Sequence, residues 1–308
     1  MAVIVPSGLP SAEGIANVGF RESRFPGRYE GEKGPLRILL FNIMPDAIKT
    51  EEHFISILAE TGYDVELTFM ITSTYQTKRV PEGYFRKYYL TLDEVKELDV
   101  EFDGIMYTGA PLGFVHFDDV FYKDEWIAVA DWGEANVNAN LFICWSAFAY
   151  YYYRFGLWWD EYEKMGLYNG KISGIYPNTI LKEDKLFEGM DNPFPAPHSR
   201  ERGTSLAGAQ KLEEEGKIKL MVTCETGAVI SKIPDSKTFL NLCHLEYDQY
   251  RLDDEARRDN FKTGIPQNYY ENDDTDTEPT YCWHENGVTY YTNWLKHYVA
   301  TDRNTNRG

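Results

Sequence analysis

Positive charge is in short supply in this sequence: Lys and Arg number 31 against 49 Asp and Glu, for a net charge of -18. A chain this acidic is repelled by phosphate backbones and anionic lipid, which argues against nucleic acid or a membrane surface as its main partner. Any polyanionic substrate must then find a local basic patch. Long apolar runs are also missing, and no stretch approaches the roughly 20 residues of a membrane-spanning helix. Met1-Ala2-Val3-Ile4-Val5-Pro6 has no basic segment ahead of its short apolar run, so no secretory leader is expected. Cysteine is sparse: Cys144, Cys224, Cys243 and Cys282 show no metal-ligand spacing, which suits a reducing, cytoplasmic setting. The acidic stretch Asn272-Asp273-Asp274-Thr275-Asp276 lacks the glycine and terminal Glu of a calcium loop and reads as a solvated turn. There is no internal repeat.

What is present is a strand and helix alternation long enough for a sizeable core. Residues 1–35 are rich in Gly, Pro, Ser and charge and read as an arm lying over the surface or a partner subunit. Residues 36–300 read as one α/β domain, and 301–308 as a tail. Leu36 to Ile43 predicts a buried strand, Thr50 with Glu51 and Glu52 a helix start, and Val65 to Ile71 a second strand, completing a βαβ unit. Thr91-x-x-Glu94 is a capping box. Gly104 to Thr108 predicts a third strand running into Gly109-Ala110-Pro111-Leu112-Gly113, and Lys123 to Val137 an amphipathic helix. Beyond Gly170 short strands and loops, at 171–176, a Pro-rich stretch at 193–200, 218–224 and 228–233, suggest a β-rich appendage near the active edge. Helices are expected at Asp253 to Gly264 and at about 285–299. The aromatic run Tyr150 to Tyr153 with Trp158 and Trp159 reads as core or interface.

Chemistry concentrates in two stretches. Asn140-Leu141-Phe142-Ile143 is a short apolar run of the kind buried in a parallel sheet, and from Cys144 the pattern turns helical, which places Cys144 on a strand-to-helix elbow. There a thiolate meets the positive end of the following helix, as a nucleophile requires. A small core cysteine fits the elbow equally well. The second stretch, Thr238 to Asp248, is an apolar strand ending in His244-Leu245-Glu246, whose two-residue spacing turns His244 and Glu246 to one side. A cysteine, a histidine and an orienting carboxylate together form the generalised triad and favour the catalytic reading.

Several further motifs occur in order: Asn42-Ile43-Met44-Pro45, Thr50-Glu51, Thr108-Gly109-Ala110-Pro111-Leu112-Gly113, Ile143-Cys144-Trp145, Ala196-Pro197-His198-Ser199-Arg200, His244-Leu245-Glu246-Tyr247-Asp248, Arg258-Asp259, Asn268-Tyr269 and Asn293-Trp294-Leu295. On these, the chain from about Leu36 to about Val299 resembles the homoserine O-acyltransferases of the homoserine O-succinyltransferase type, themselves similar in fold and triad to class I glutamine amidotransferases. The resemblance implies a flavodoxin-like, doubly wound parallel sheet. It also implies acyl transfer from succinyl-CoA to L-homoserine in methionine biosynthesis, through a ping-pong acyl-enzyme on Cys144 with His244 as base and Glu246 orienting it. Lys171, Ser199 and Arg258 would bind the acceptor, and backbone N–H groups of Trp145 and Leu112 the oxyanion. Gly113 would set the donor, because glycine leaves room and free N–H groups for a succinyl chain. Acetyl-CoA as donor, L-serine as acceptor, a glutamine-amidotransferase-like hydrolase and a catalytically silent relative are the alternatives. No permanently bound cofactor and no metal are expected, and a homodimer is the expected assembly. The chain departs from the family pattern at Asp46-Ala47, Arg79-Val80 and Trp283-His284-Glu285-Asn286, where Lys49, Lys78 and Arg79 are substitute contacts for CoA.

Overall fold

The computed structural model describes residues 2–29, 34–157 and 171–301. The expectations for Trp158, Trp159 and the terminal tail fall wholly or mainly outside them. The chain divides into two compact units, one of residues 1–110, 117–141 and 291–308, the other of 111–116 and 142–290.

In the first unit the strands are β1 (Val3–Pro6), β2 (Val18–Arg21), β3 (Leu36–Phe41), β4 (Val65–Met70), β5 (Tyr89–Leu90), β6 (Gly104–Tyr107) and β7 (Ala139–Ile143), the last two residues of β7 belonging to the second unit. Their order is β2-β1-β4-β3-β6-β7, with β5 beside β4. β3 pairs in parallel with β4 and with β6, so the central four strands run second, first, third, fourth, the flavodoxin-like order. Every residue of β4, β6 and β7 is buried, Glu66 and Thr68 of β4 included, as expected of strands covered on both faces. Helices α1 (Ala47–Glu60), α2 (Tyr84–Tyr88), α3 (Leu92–Lys96) and α4 (Lys123–Asn136) connect them.

Two expectations fail here. The N-terminal arm is not loose: β1 pairs in parallel with both β2 and β4, so residues 3–21 extend the sheet. Its Gly and Pro content marks the turns between strands, and Val3 and Val5 are fully buried. Nor does Thr50 cap α1, which starts three residues earlier. The Thr50 hydroxyl bonds back to the Asp46 carbonyl at 3.0 Å, and Glu51 is buried inside the fold. The capping box at Thr91 and Glu94 is formed as expected.

The second unit holds α5 (Trp145–Phe155), β8 (Ile172–Ile180), β9 (Phe194–Arg200), α6 (Leu206–Glu214), β10 (Lys219–Cys224), β11 (Gly227–Lys232), β12 (Thr238–Asn241), α7 (Arg251–Arg258) and most of α8 (His284–Trp294). Its strands run β12-β11-β10-β8-β9, each pair antiparallel, and form the expected β-rich part. α7 is shorter than read because Asn260 and Phe261 take positive φ after Asp259. In β8, Gly174 has φ +146° and a Cβ there would lie 2.4 Å from the Gln267 carbonyl. Only glycine lets the 267 segment bond to Ser173 and Ile175 at 2.9 and 2.8 Å. No helix among the described residues is long and apolar enough to cross a membrane.

Candidate active site

Cys144 sits where β7 becomes α5, with φ +52° and ψ -116°. An L-residue pays for such backbone geometry in strain, which persists only where surrounding bonds impose it. They do: the Cys144 N–H donates to Asn241 O at 2.7 Å, and its carbonyl already accepts from Ala147 and Phe148 in the first turn of α5. The thiol is 8% exposed and lies 3.8 Å from the Ser199 carbonyl. The elbow is therefore built, and the alternative of an ordinary core cysteine does not explain its strained backbone.

His244 follows β12 in the same unit, its N–H held by Pro197 O at 2.8 Å. Its Nδ1 and Glu246 Oε1 are 2.6 Å apart, and both residues are buried. An ionised carboxylate can only accept, so Nδ1 carries the proton and donates. Tyr247 stacks on the imidazole, ring centroids 4.1 Å apart, and Trp283 Nε1 in turn donates to the Tyr247 carbonyl at 2.9 Å. Nε2 is buried without a hydrogen-bond partner of good geometry among the described residues, yet the charge of the Cys144 sulfur reaches it. Burial alone would keep the ring neutral. Glu246 and then Cys144 outweigh burial and raise the imidazole pKa from 6.5 to about 10. A protonated imidazolium on His244 is thus the state these influences favour.

Lys171 and Ser199 meet on a residue that sequence reasoning missed, Glu255. Its carboxylate accepts from Lys171 Nζ at 3.2 Å, Arg251 Nε at 3.0 Å, the Ser199 hydroxyl, and Tyr247 OH at 3.4 Å. Burial would raise its pKa, but Lys171 and Arg251 more than offset that and bring it to about 2. The only signal in the sequence was Arg251 four residues before Glu255 on one helix face. Lys171 also lines a cavity of about 340 Å³ with Ser173, Tyr176 and Gln267. Arg258 is not brought into this cluster: its side chain is 42% exposed and its fork holds Asp259 at 2.8 and 2.9 Å. His198 and Arg200, neighbours of Ser199 in β9, are buried in a separate network with Asn178 and Thr226.

The loop 111–116 corrects one expectation outright. Gly113 N–H is not free, since Glu201 Oε2 accepts it at 2.9 Å. That takes away the free Gly113 N–H expected to meet a succinyl chain. A Cβ on residue 113 would lie 2.4 Å from Glu201 Oε2 and 2.6 Å from its Cβ, so a Gly113→Glu substitution cannot be accommodated without displacing Glu201.

A strained Cys elbow and a buried His–Glu pair in one unit can support thiol-dependent acyl transfer. Among solved structures the fold is similar to a glutamine amidotransferase from Thermotoga maritima, with TM-score 0.52 and 12% identity, covering 87% of this chain and all of that one. The homoserine O-succinyltransferase family model matches residues 2–305. A homoserine O-acetyltransferase of Thermotoga petrophila is 34% identical over 303 residues, covering 97% of this chain and 96% of its own. One from Acetivibrio thermocellus is 33% identical over 304 residues, covering 97% and 96%. The chain belongs to the homoserine O-succinyltransferase family, a family of homoserine O-acyltransferases.

Proposed function

We propose that this chain moves a short acyl group from its CoA thioester to the hydroxyl of L-homoserine, in methionine biosynthesis, through a thioester on Cys144. The observation that carries the reading is the His244–Glu246 pair at 2.6 Å in the same unit as the strained Cys144 elbow. The Cys144 thiolate attacks the donor carbonyl, and the His244 imidazolium gives its proton to the departing CoA sulfur. Once the sulfur is acylated its charge is gone, so the influence that held the proton on His244 is weakened. The now neutral ring takes the homoserine hydroxyl proton as that oxygen attacks the acyl-enzyme, and C–S cleavage restores the thiolate–imidazolium pair. Trp145 and Leu112 N–H groups are proposed to hold the tetrahedral oxyanion.

Lys171, Ser199 and Arg258 are proposed to bind the acceptor. Glu255 fixes the first two, and Arg258 exchanges Asp259 for the α-carboxylate. Succinyl-CoA as donor has Gly113 in its favour, because glycine leaves room beside the acyl chain. Against it stand the Glu201 carboxylate on the Gly113 N–H and the acetyltransferase names of the relatives, so acetyl-CoA is the proposed donor. The test crosses acetyl-CoA and succinyl-CoA with L-homoserine, L-serine and glutamine and identifies products by mass. O-acetylhomoserine as main product supports the reading; glutamate released from glutamine, or no acylated amino acid, contradicts it.

A further inference from the structure

Glu201 follows directly on β9, two residues past Ser199, whose carbonyl lies 3.8 Å from Cys144 Sγ. At the strand rise of about 3.3 Å per residue, that puts Glu201 some two steps from the nucleophile. Its carboxylate is not left to wander: Gly113 N–H donates to Oε2 at 2.9 Å. Its neighbour Arg202 donates from Nε to the Gly113 carbonyl at 3.3 Å and lies over the Phe114 ring, 4.9 Å from its centroid. Two successive side chains therefore grip the two sides of one glycine. The space Glu201 occupies is the space a residue-113 side chain would need, so the two arrangements exclude each other.

We infer that Glu201 is the residue that selects the acyl donor, by holding a carboxylate beside the path of the acyl chain. The inference rests on the acyltransferase reading of Cys144 above. In a succinyl thioester the terminal carboxylate is three C–C bonds beyond the carbonyl carbon, roughly 4 Å when extended. It would approach a fixed negative charge in a half-buried loop and find the nearest backbone donor already taken. An acetyl group has neither a charge to repel nor the length to reach. Discrimination here is achieved by repulsion of the wrong donor, with the carboxylate supplied from the end of β9.

The experiment measures the rate of Cys144 acylation by acetyl-CoA and by succinyl-CoA, without acceptor, in the wild type, Glu201→Gln and Glu201→Ala. Acylation is followed by CoA release and intact mass. The ratio of the two rates within one protein cancels any general loss of activity or of folded fraction. The wild type is expected to favour acetyl-CoA at least tenfold, Glu201→Gln to shift the ratio tenfold or more toward succinyl-CoA, and Glu201→Ala to shift it further. A wild-type preference for succinyl-CoA, or a ratio unchanged in both variants, overturns the assignment. If neither donor acylates the wild type, the acyltransferase reading itself has failed, and the donor assignment with it.

Discussion

Glu51 and Glu255 are both buried carboxylates, and their electrostatic fates are opposite. Glu51, on α1 of the first unit, is held by the hydroxyls of Ser11, Tyr84 and Tyr89. Burial raises its pKa to about 7, and hydrogen bonds from three neutral groups do not offset the lost hydration. Glu255, on α7 of the second unit, is held by Lys171 and Arg251 as well as hydroxyls, and falls to about 2. The lesson is that neutral donors make a buried carboxylate tolerable, whereas cations are needed to keep it ionised. The first arrangement ties an N-terminal turn to a helix. The second keeps a charge among the residues proposed to bind substrate, in the unit that also holds Cys144 and the His244–Glu246 pair.

The largest effect that would sharpen this contrast is on the pair itself. Glu246→Gln should lower kcat/KM by about 10²–10⁴, since an amide neither stabilises imidazolium nor fixes the tautomer reliably. Because Glu246 is the strongest influence raising His244, an NMR titration of the ring should move down from about 10. An unchanged titration would mean the carboxylate is not coupled to the ring.

Next in size is Glu255→Gln, which strands Lys171 and Arg251 and should cost about 3–5 kcal/mol at pH 7 by urea unfolding. A depressed pKa contributes stability that is present above the unfolded value, near 4.5, and is lost as pH falls through about 2. The difference between variant and wild type should therefore vanish toward pH 2. For Glu51 the sign is reversed: a raised pKa contributes stability below 4.5 that is lost as pH rises through about 7. Glu51→Gln should cost about 1 kcal/mol at pH 5, with the deficit shrinking toward pH 8. A deficit that grows with pH would break the comparison. The smallest effect is Arg258→Lys, with a stability change below about 0.5 kcal/mol because its pair with Asp259 is exposed. The same change should raise KM for homoserine several-fold, because Lys cannot fork a carboxylate. Equal KM values would leave Arg258 a surface residue.

These contrasts also show what was legible in the sequence. The elbow at Cys144 and the His244–Glu246 spacing could be read because each depends on local periodicity, with apolar strands announcing where a side chain leaves the sheet. The parallel core strands were legible for the same reason. Glu51 was misread as a first-turn helix residue because nothing local reveals that Ser11 and two tyrosines surround it. Glu255 and Glu201 went unnoticed because their meaning lies in partners 84 and 88 residues away, Lys171 and Gly113. The N-terminal strands were hidden by their brevity, four residues each between turns. Arg258 was placed by family motif alone, and only its neighbour Asp259 explains where its fork rests.

The central claim is that Cys144 carries the acyl group. Wild-type protein incubated with acetyl-CoA and no acceptor should release one CoA per chain and gain one acetyl mass on the peptide containing Cys144, which L-homoserine then discharges. Full turnover by Cys144→Ala, or CoA release without any adduct on that peptide, would contradict it.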